Sequence, residues 1–187
     1  MNKDAKMLLP ITYTPIGIIR TPFTGIAGMP LQPSGAQDVF GTIELNPELS
    51  LGLRDLEGFS HIILLYHFHC VTECKLMVVP FLDDVPHGIF ATRAPIRPNA
   101  IGISTVRLEK IEQNILHVSG IDVLDKTPLL DIKPFYPGYD NRIDAKSGWL
   151  ARKKDVDIGS VRSDDRFVSK SHTSTNKTEQ QSAEDDK

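Results

Sequence analysis

The sequence from residue 59 to residue 68, FSHIILLYHF, is a long apolar run of β-branched, aliphatic and aromatic side chains. A run of this length and composition is typical of a β-strand, and its continuous hydrophobicity predicts burial on both faces. Gln113-Asn114 has the composition of a hairpin turn. Other segments with strand character lie on either side of the long run, at residues 13–20, 41–45, 76–79, 102–111 and 115–122.

The connections between these segments decide the architecture. No segment has the long amphipathic pattern of a crossover helix, and residues 51–56 have room for only one or two helical turns. Short strands joined by Pro- and Gly-rich segments predict a mainly β, single-domain fold, a closed or nearly closed antiparallel β-barrel with few short helices. A Rossmann domain would need a Gly-rich turn leading into a helix. The nearest candidate, residues 25–28 (GIAG), is followed by Met29-Pro30 and no helix, so we expect a non-Rossmann fold.

The chain divides into a folded part and a tail. Residues 10–155 contain nearly all the strand-like segments of the 187-residue chain. Residues 156–187 are rich in Ser, Thr, Asn, Gln and mixed charges, and have few large apolar side chains. Such a segment buries too little surface to offset the entropy lost on ordering, so we expect a disordered tail.

Composition is that of a soluble globular protein, with 40% hydrophobic and 24% charged residues. No apolar run approaches the roughly 20 residues that cross a bilayer, and no signal peptide is recognisable, which indicates a cytoplasmic protein without a membrane partner. The net charge of −3 does not attract polyanions, so a nucleic-acid partner would need a local basic patch. Candidates for such a patch are Lys133, Arg142, Lys146, Arg152, Lys153 and Lys154.

A stiff cationic loop is predicted within residues 88–104, GIFATRAPIRPNAIGIS. Arg93 and Arg97 each lie close to a proline, which restricts the backbone around them. With Asn99 they could receive a carboxylate or a phosphate, since arginine binds both in a bidentate manner. An equally supported interpretation is a structural loop whose arginines pair with Asp or Glu elsewhere in the protein.

Residues 122–134, DVLDKTPLLDIKP, place Asp122, Asp125 and Asp131 beside apolar residues. An acidic side chain at a strand end can hold ribose hydroxyls. The alternative is turn capping, since Asp often bonds its own backbone in turns.

Histidines give the main rival hypothesis. On a strand, His61, His67 and His69 would project from one face because side chains alternate. Two of them, with a third ligand from Asp83, Asp84 or His87, could bind a metal and make the protein a metal-dependent hydrolase. A histidine lining a pocket without metal is the commoner arrangement. Cys70 and Cys74 lack the second pair of a zinc site, so no metal is expected from them.

Long strings of the sequence resemble the TsaA/YaeB family, also called TrmO, of small β-barrel methyltransferases. The strings that carry the resemblance run in order from residue 15 to residue 135. They are PIGIIRTPF at 15–23, PLQP at 30–33, LEGFSHIILLYHFH at 56–69, GIFATRAPIRPNAIGIS at 88–104 and DVLDKTPLLDIKPF at 122–135.

The resemblance implies methyl transfer from S-adenosylmethionine to N6 of threonylcarbamoyl-adenosine beside the anticodon of tRNA, at position 37. It also implies a homodimer with the cofactor near the subunit interface. Carried over by position, it places the cofactor against Pro30, Leu31, Gln32, His69, Cys70, Arg93, Ile103, Asp122, Val123, Leu124 and Asp125. Apart from this carry-over, we expect Arg97 and Asn99 to contact RNA or to stiffen their loop, and Lys133 to contact RNA.

Methyl transfer is an in-line displacement, so alignment of the reactants is its leading requirement. We expect Asp122, Asp125 or His69 to accept or orient the N6 proton. Two departures from the family pattern stand out: Lys126 occupies a position where glycine is frequent, and a polar tail replaces the additional C-terminal domain of longer members, which bears on tRNA docking. A non-catalytic nucleoside-binding module would use the same pocket and remains an alternative beside the metal hydrolase.

Overall fold

A six-stranded antiparallel barrel forms the body of the protein, as predicted. The structure, a computed structural model, describes residues 9–30, 32, 35–153, 161–164 and 166–167. Its strands are β1 (Gly17–Arg20), β2 (Phe40–Leu45), β3 (His61–His67), β6 (Ile101–Glu112), β7 (Ile115–Ser119) and β8 (Thr127–Pro134). The barrel closes in the order β1-β2-β7-β6-β3-β8. A separate two-stranded sheet pairs β4 (Met77–Val78) with β5 (His87–Gly88).

The long apolar run contains β3, but this strand is not buried on both faces as predicted. Ile62, Leu64 and Tyr66 point into the barrel and are fully or almost fully buried. The alternate residues face outward, with Ile63 and Leu65 half-buried and His67 exposed. A barrel has one inner face, so a strand of a small closed barrel alternates even where its outer side chains are apolar.

Several strand boundaries differ from the sequence prediction. The segment 13–20 is a strand only over Gly17–Arg20, and the segment 115–122 ends at Ser119. The hairpin turn at Gln113-Asn114 is confirmed, with Gln113 in the left-handed region at φ 58°. β8 was not predicted at all.

The helices are short, as expected. The longest described ones are 3-10 turns at Pro47–Leu53 and Gly148–Lys153, and α1 spans only Pro137–Asp140. Two further 3-10 turns lie at Leu56–Gly58 and Ile89–Ala91. Among the described residues, no helix has the length and hydrophobicity needed to cross a membrane.

Antiparallel pairing sends three long connections to the same end of the barrel. They are residues 21–39 after β1, residues 68–100 after β3 and residues 120–126 after β7. This end is called the loop end below. The opposite end carries residues 46–60, the hairpin turn at 113–114 and the chain that leaves β8.

Part of the expected tail is packed against the loop end. Phe167 is 9% exposed and belongs to a second apolar cluster with Val78, Ile89, Ala94 and Ile96. Arg162 forms an antiparallel bridge with Pro30. Within residues 156–187, the described positions 161–164 and 166–167 are therefore ordered against the body instead of forming a disordered tail. Positions 154–160, 165 and 168–187 lie outside the described residues.

Candidate functional site

The three loop-end connections collect almost all the residues predicted to bind a cofactor. Pro30 and Gln32 lie in the first connection, His69, Cys70 and Arg93 in the second, and residues 122–125 in the third. Leu31 lies outside the described residues. Ile103 sits near the same end of β6, on its outer face, with 52% of its surface exposed.

Hydrogen bonds tie the first and third connections together. The Thr21 backbone N–H donates to Asp125 Oδ1 at 3.2 Å, and the Thr21 hydroxyl donates to the Val123 carbonyl at 2.8 Å. The Asp125 N–H donates to the Phe23 carbonyl at 2.8 Å. Asp125 therefore serves the backbone of its neighbouring loop, the capping role considered from the sequence, and Val123 is buried in the core.

Asp122 is the acceptor at the end of a buried hydroxyl chain. The Ser104 hydroxyl donates to Asp122 Oδ1 at 2.6 Å, and Tyr66 Oη lies 3.0 Å from Ser104 Oγ. A serine hydroxyl has one proton, so with Asp122 ionised the Tyr66 hydroxyl is the donor to Ser104. Burial raises the pKa of Tyr66, with the Asp122 charge adding to the effect, and keeps the phenol protonated.

The electrostatics of Asp122 fit a functional carboxylate. Burial raises the pKa of Asp122, while the Ser104 hydrogen bond and the positive charge of Arg93 partly oppose this. The side chain is thus partly desolvated and close to a cation. A carboxylate in such surroundings is a more effective proton acceptor at neutral pH than an exposed one.

Sequence reasoning missed Tyr66 and Ser104, which support Asp122. They lie on neighbouring strands β3 and β6 and point inward. Gly102 is the cross-strand partner of Tyr66, and any Cβ at Gly102 would overlap the Tyr66 ring. The signal available in the sequence was the inward alternation of these strands, which placed two hydroxyl side chains at core positions.

Among the described residues, only one ring nitrogen of His69 has a hydrogen-bond partner. Its Nδ1 lies 3.3 Å from the Thr127 hydroxyl, which donates its own proton to the Leu124 carbonyl at 2.7 Å. Thr127 can then only accept from His69, so Nδ1 carries the proton and Nε2 keeps its lone pair. Burial lowers the pKa of His69, and nearby His67 lowers it further, against a smaller opposing effect of Asp125. The ring is consequently held neutral as an acceptor.

Arg93 and Cys70 complete the cofactor prediction at this end. Arg93 is exposed, and its charge reaches both Asp122 and Tyr66. Cys70 is half-buried, and burial raises the pKa of its thiol, so it is a neutral lining group.

The three predicted RNA contacts do not form one surface. Arg97 Nη1 donates to the carbonyls of Thr92 at 2.8 Å, Ile89 at 3.3 Å and Ala94 at 3.4 Å, so it braces the backbone of its own loop and does not pair with an Asp or Glu among the described residues. Asn99 is exposed at the loop end. Lys133 is near the opposite end of the barrel, opposite Ile63, and its Nζ lies 2.8 Å from Asp131. Because β8 runs away from the loop end, Lys133 lies apart from Arg97 and Asn99.

The wider basic patch is also partly used within the protein. Lys153 Nζ lies 3.2 Å from Asp83, and Arg142 donates to the carbonyls of Tyr139 and Asn141. Arg152 and Lys146 are exposed, and Lys154 lies outside the described residues.

The metal-site residues are divided between separate contacts. His87 Nε2 lies 3.1 Å from Asp83 Oδ2, and the imidazole stacks on Trp149 with ring centroids 4.4 Å apart. His87 and Lys153 both lower the pKa of Asp83. Over the described part of the chain, no three His, Cys, Asp or Glu residues are grouped so as to hold a metal ion. The arrangement does not favour the hydrolase hypothesis.

The functional groups at the loop end match the chemistry of S-adenosylmethionine. That molecule carries a carboxylate, two cationic centres and ribose hydroxyls. Arg93 is suited to the carboxylate, whereas Asp122 is suited to a cation or a hydroxyl. The exposed apolar surface of Ile103 and the half-buried Leu124 can contact an adenine ring. The side chains at the loop end therefore have the chemistry needed to bind S-adenosylmethionine.

Comparison with known proteins points the same way. The profile of the tRNA-methyltransferase O N-terminal domain matches residues 18–141. A probable S-adenosyl-L-methionine-binding protein of Pyrococcus abyssi is 51% identical over 165 residues, covering 87% of this chain and 89% of that protein. A human tRNA (adenine(37)-N6)-methyltransferase is 40% identical over 68% of this chain.

A solved structure agrees in fold. The crystal structure of TrmO from Pseudomonas aeruginosa superposes with a TM-score of 0.65 at 42% identity, over 75% of this chain and 63% of that one. The region shared with the human enzyme makes up only 30% of that enzyme. Several relatives are therefore much longer than the region that they share with this chain. The domain profile and the sequence identity show that the chain belongs to the tRNA-methyltransferase O family, and the region that matches is the N-terminal domain of that family.

Proposed function

We propose that this protein transfers a methyl group from S-adenosylmethionine to N6 of an adenosine at position 37 of tRNA. The observation that carries the proposal is the placement of Asp122, His69 and Arg93 in connections at the same end of a barrel of this family. The threonylcarbamoyl form of that adenosine is the proposed substrate, and Arg93 serves either its carboxylate or the carboxylate of the cofactor.

S-Adenosylmethionine, when bound, supplies an electrophilic methyl group on a good leaving group. The protein must then hold the accepting nitrogen in line and remove its proton. The Nε2 of His69, which has no partner among the described residues, and the half-buried carboxylate of Asp122 are the two groups suited to that proton. Asp125 is less suited, since its carboxylate is engaged by the Thr21 N–H.

We also propose a homodimer whose interface lies beside the site. Ile101 and Ile103 project from the outer face of β6 with 40% and 52% of their surface exposed. The half-buried Leu65 pairs with Ile103 on the neighbouring strand, which makes a continuous apolar strip next to the loop end. A partner that covers the strip would place its own residues at the site. As a tRNA-modifying enzyme, the protein would act in the cytoplasm.

Transfer of a labelled methyl group tests the proposal. The purified protein is incubated with S-adenosylmethionine carrying a trideuterated methyl group and with tRNA from cells that lack this activity. Nucleoside mass spectrometry should find the label on the threonylcarbamoyl-adenosine of wild-type reactions. Label on unmodified adenosine would exclude the threonylcarbamoyl requirement but retain the methyltransferase. Tight cofactor binding without label would support a non-catalytic nucleoside-binding module instead.

The structure supplies matched variants for this assay. Asp122→Asn keeps the size of a buried side chain and removes its charge, so it should reduce labelling strongly. Ser50→Ala removes a 2.6 Å hydrogen bond to the Pro47 carbonyl at the opposite end of the barrel and should label as the wild type does.

A further inference from the structure

We infer that residues 161–164 and 166–167 form a strap that holds the first loop-end connection in the shape that binds the cofactor, with Ser163 and Phe167 as positioning residues. This inference rests on the proposed function, because it assigns the strap an effect on S-adenosylmethionine binding. We call these six residues the strap.

The first anchor of the strap is a set of hydrogen bonds to residues 26–30. The Gly28 N–H donates to the Ser163 carbonyl at 2.9 Å, and the Ser163 N–H donates to the Met29 carbonyl at 2.9 Å. The Met29 N–H donates to Ser163 Oγ at 3.0 Å, and that hydroxyl donates in turn to the Ile26 carbonyl. Ser163 therefore satisfies both the donors and the acceptors of a turn that contains no regular secondary structure.

This turn leads directly into the proposed cofactor residues. Gly28 adopts the left-handed region at φ 80°, and Pro30, which pairs with Arg162, is buried. Gln32 follows two residues later. A loop with few backbone hydrogen bonds of its own samples many shapes, so external bonds at this turn restrict the positions of Pro30 and Gln32.

The second anchor lies on the connection that carries Arg93. Phe167 packs in the cluster of Val78, Ala94 and Ile96, and meets the Phe81 ring edge-on with centroids 5.1 Å apart. Arg166 lies over the same Phe81 ring at 4.7 Å and donates to the Pro80 carbonyl at 3.0 Å. Ala94 is adjacent to Arg93 in the chain. The strap thus links the connection that carries Pro30 to the connection that carries Arg93.

When two connections that line a binding site are already linked, less conformational entropy is lost in ordering them as the ligand binds. If the bound shape is populated only in part without the strap, the apparent Kd rises by the inverse of that fraction. The strap touches none of Asp122, His69 or Thr127 in the described contacts, so the bound complex should react as before. Its loss should raise the KM for S-adenosylmethionine and leave kcat nearly unchanged.

The test measures S-adenosylmethionine binding by titration calorimetry and its KM and kcat with tRNA, for the full chain and its variants. Ser163→Ala and Phe167→Ala should raise Kd and KM about fivefold to tenfold, with kcat within about twofold of the wild type. Ser163→Thr keeps the hydroxyl and should restore binding. Ser50→Ala removes a comparable side-chain bond to backbone at the other end of the barrel and should change neither constant.

The outcomes separate the strap from the proposed function. If the wild type binds S-adenosylmethionine and the Kd is unchanged in Ser163→Ala and Phe167→Ala, the inference about the strap is wrong. The proposed methyltransferase activity is not affected by that result. A lower Tm with unchanged Kd would show a structural role only, and would also overturn the inference about the strap. If Phe167→Ala fails to fold, Ser163→Ala and its rescue by Ser163→Thr decide the matter. Failure of the wild type to bind S-adenosylmethionine would overturn both proposals.

Discussion

A single hydroxyl fixes the tautomer of His69, and this has a consequence for the pH dependence of the reaction. Because the pKa of His69 is lowered, its free base persists below the usual histidine value of about 6.5. Protonation removes the lone pair of this base, so a rate that depends on it falls as the pH drops through the lowered pKa of His69. We expect the acid limb of kcat/KM to have its half-maximum below the usual histidine value, and His69→Gln to reduce kcat/KM about 100-fold and remove that limb.

Two variants give this prediction its controls. Thr127→Val keeps the shape of the side chain and removes the hydroxyl that orients the ring, so it should lower the rate less than His69→Gln. Asp122→Asn leaves His69 in place. If Asp122→Asn abolishes the acid limb while His69→Gln leaves both rate and limb unchanged, Asp122 is the proton acceptor and the assignment to His69 is wrong.

At the scale of single residues, the sequence identified the acidic and histidine candidates but not their partners. Asp122 and His69 stand in long unusual strings and are titratable. Tyr66 and Ser104 are 38 positions apart in sequence and meet only through the register of β3 with β6. Register depends on the closure of the whole barrel, which no local pattern specifies. Arg97 was left between two roles because only its contacts with carbonyls of its own loop distinguish them.

At the scale of elements, the turn between β7 and β8 contains a lysine in a glycine-like conformation. Lys126 has φ 62°, in the left-handed region, so the turn keeps its shape although the usual glycine is absent. A non-glycine residue pays about 1–2 kcal/mol for this region, and glycine regains part of it. Lys126→Gly should therefore stabilise the protein by about 1 kcal/mol, measured by urea unfolding.

The control for this element is another exposed lysine on the following strand. Lys133→Gly introduces glycine into regular extended backbone of β8 and should destabilise the protein by about 1 kcal/mol. Equal loss of stability in both variants would show that the left-handed conformation of Lys126 carries no cost.

β8 also shows why one strand was missed. It contains Pro128 and Pro134 within its range Thr127–Pro134, and proline is rare inside sheets. Asp131 and Lys133 on its outer face add polar character. The strand is set by pairing with both β1 and β3, which closes the barrel. Composition predicted a barrel, but it could not identify the strand that completes it.

At the scale of the whole molecule, the proposed homodimer makes a prediction about one face of the barrel. Burying a charge in an apolar interface is costly, so Ile103→Glu should prevent association. We expect the wild type to sediment as a dimer and Ile103→Glu as a monomer; sedimentation is the readout, because Ile103 is also placed against the adenine ring and its change would weaken cofactor binding directly. Ile18→Glu is the matched control, because Ile18 is 39% exposed on β1, three strands from β6 in either direction around the barrel.

The two isoleucines separate an effect of the interface from an effect of surface charge. Both lie on outer faces of barrel strands, and both variants add the same negative charge, so a general loss of stability would appear in each. A dimer that persists in Ile103→Glu would place the interface elsewhere. A wild type that is monomeric at assay concentration and fully active would mean that one chain completes the site, with Arg93, Asp122 and His69 sufficient by themselves.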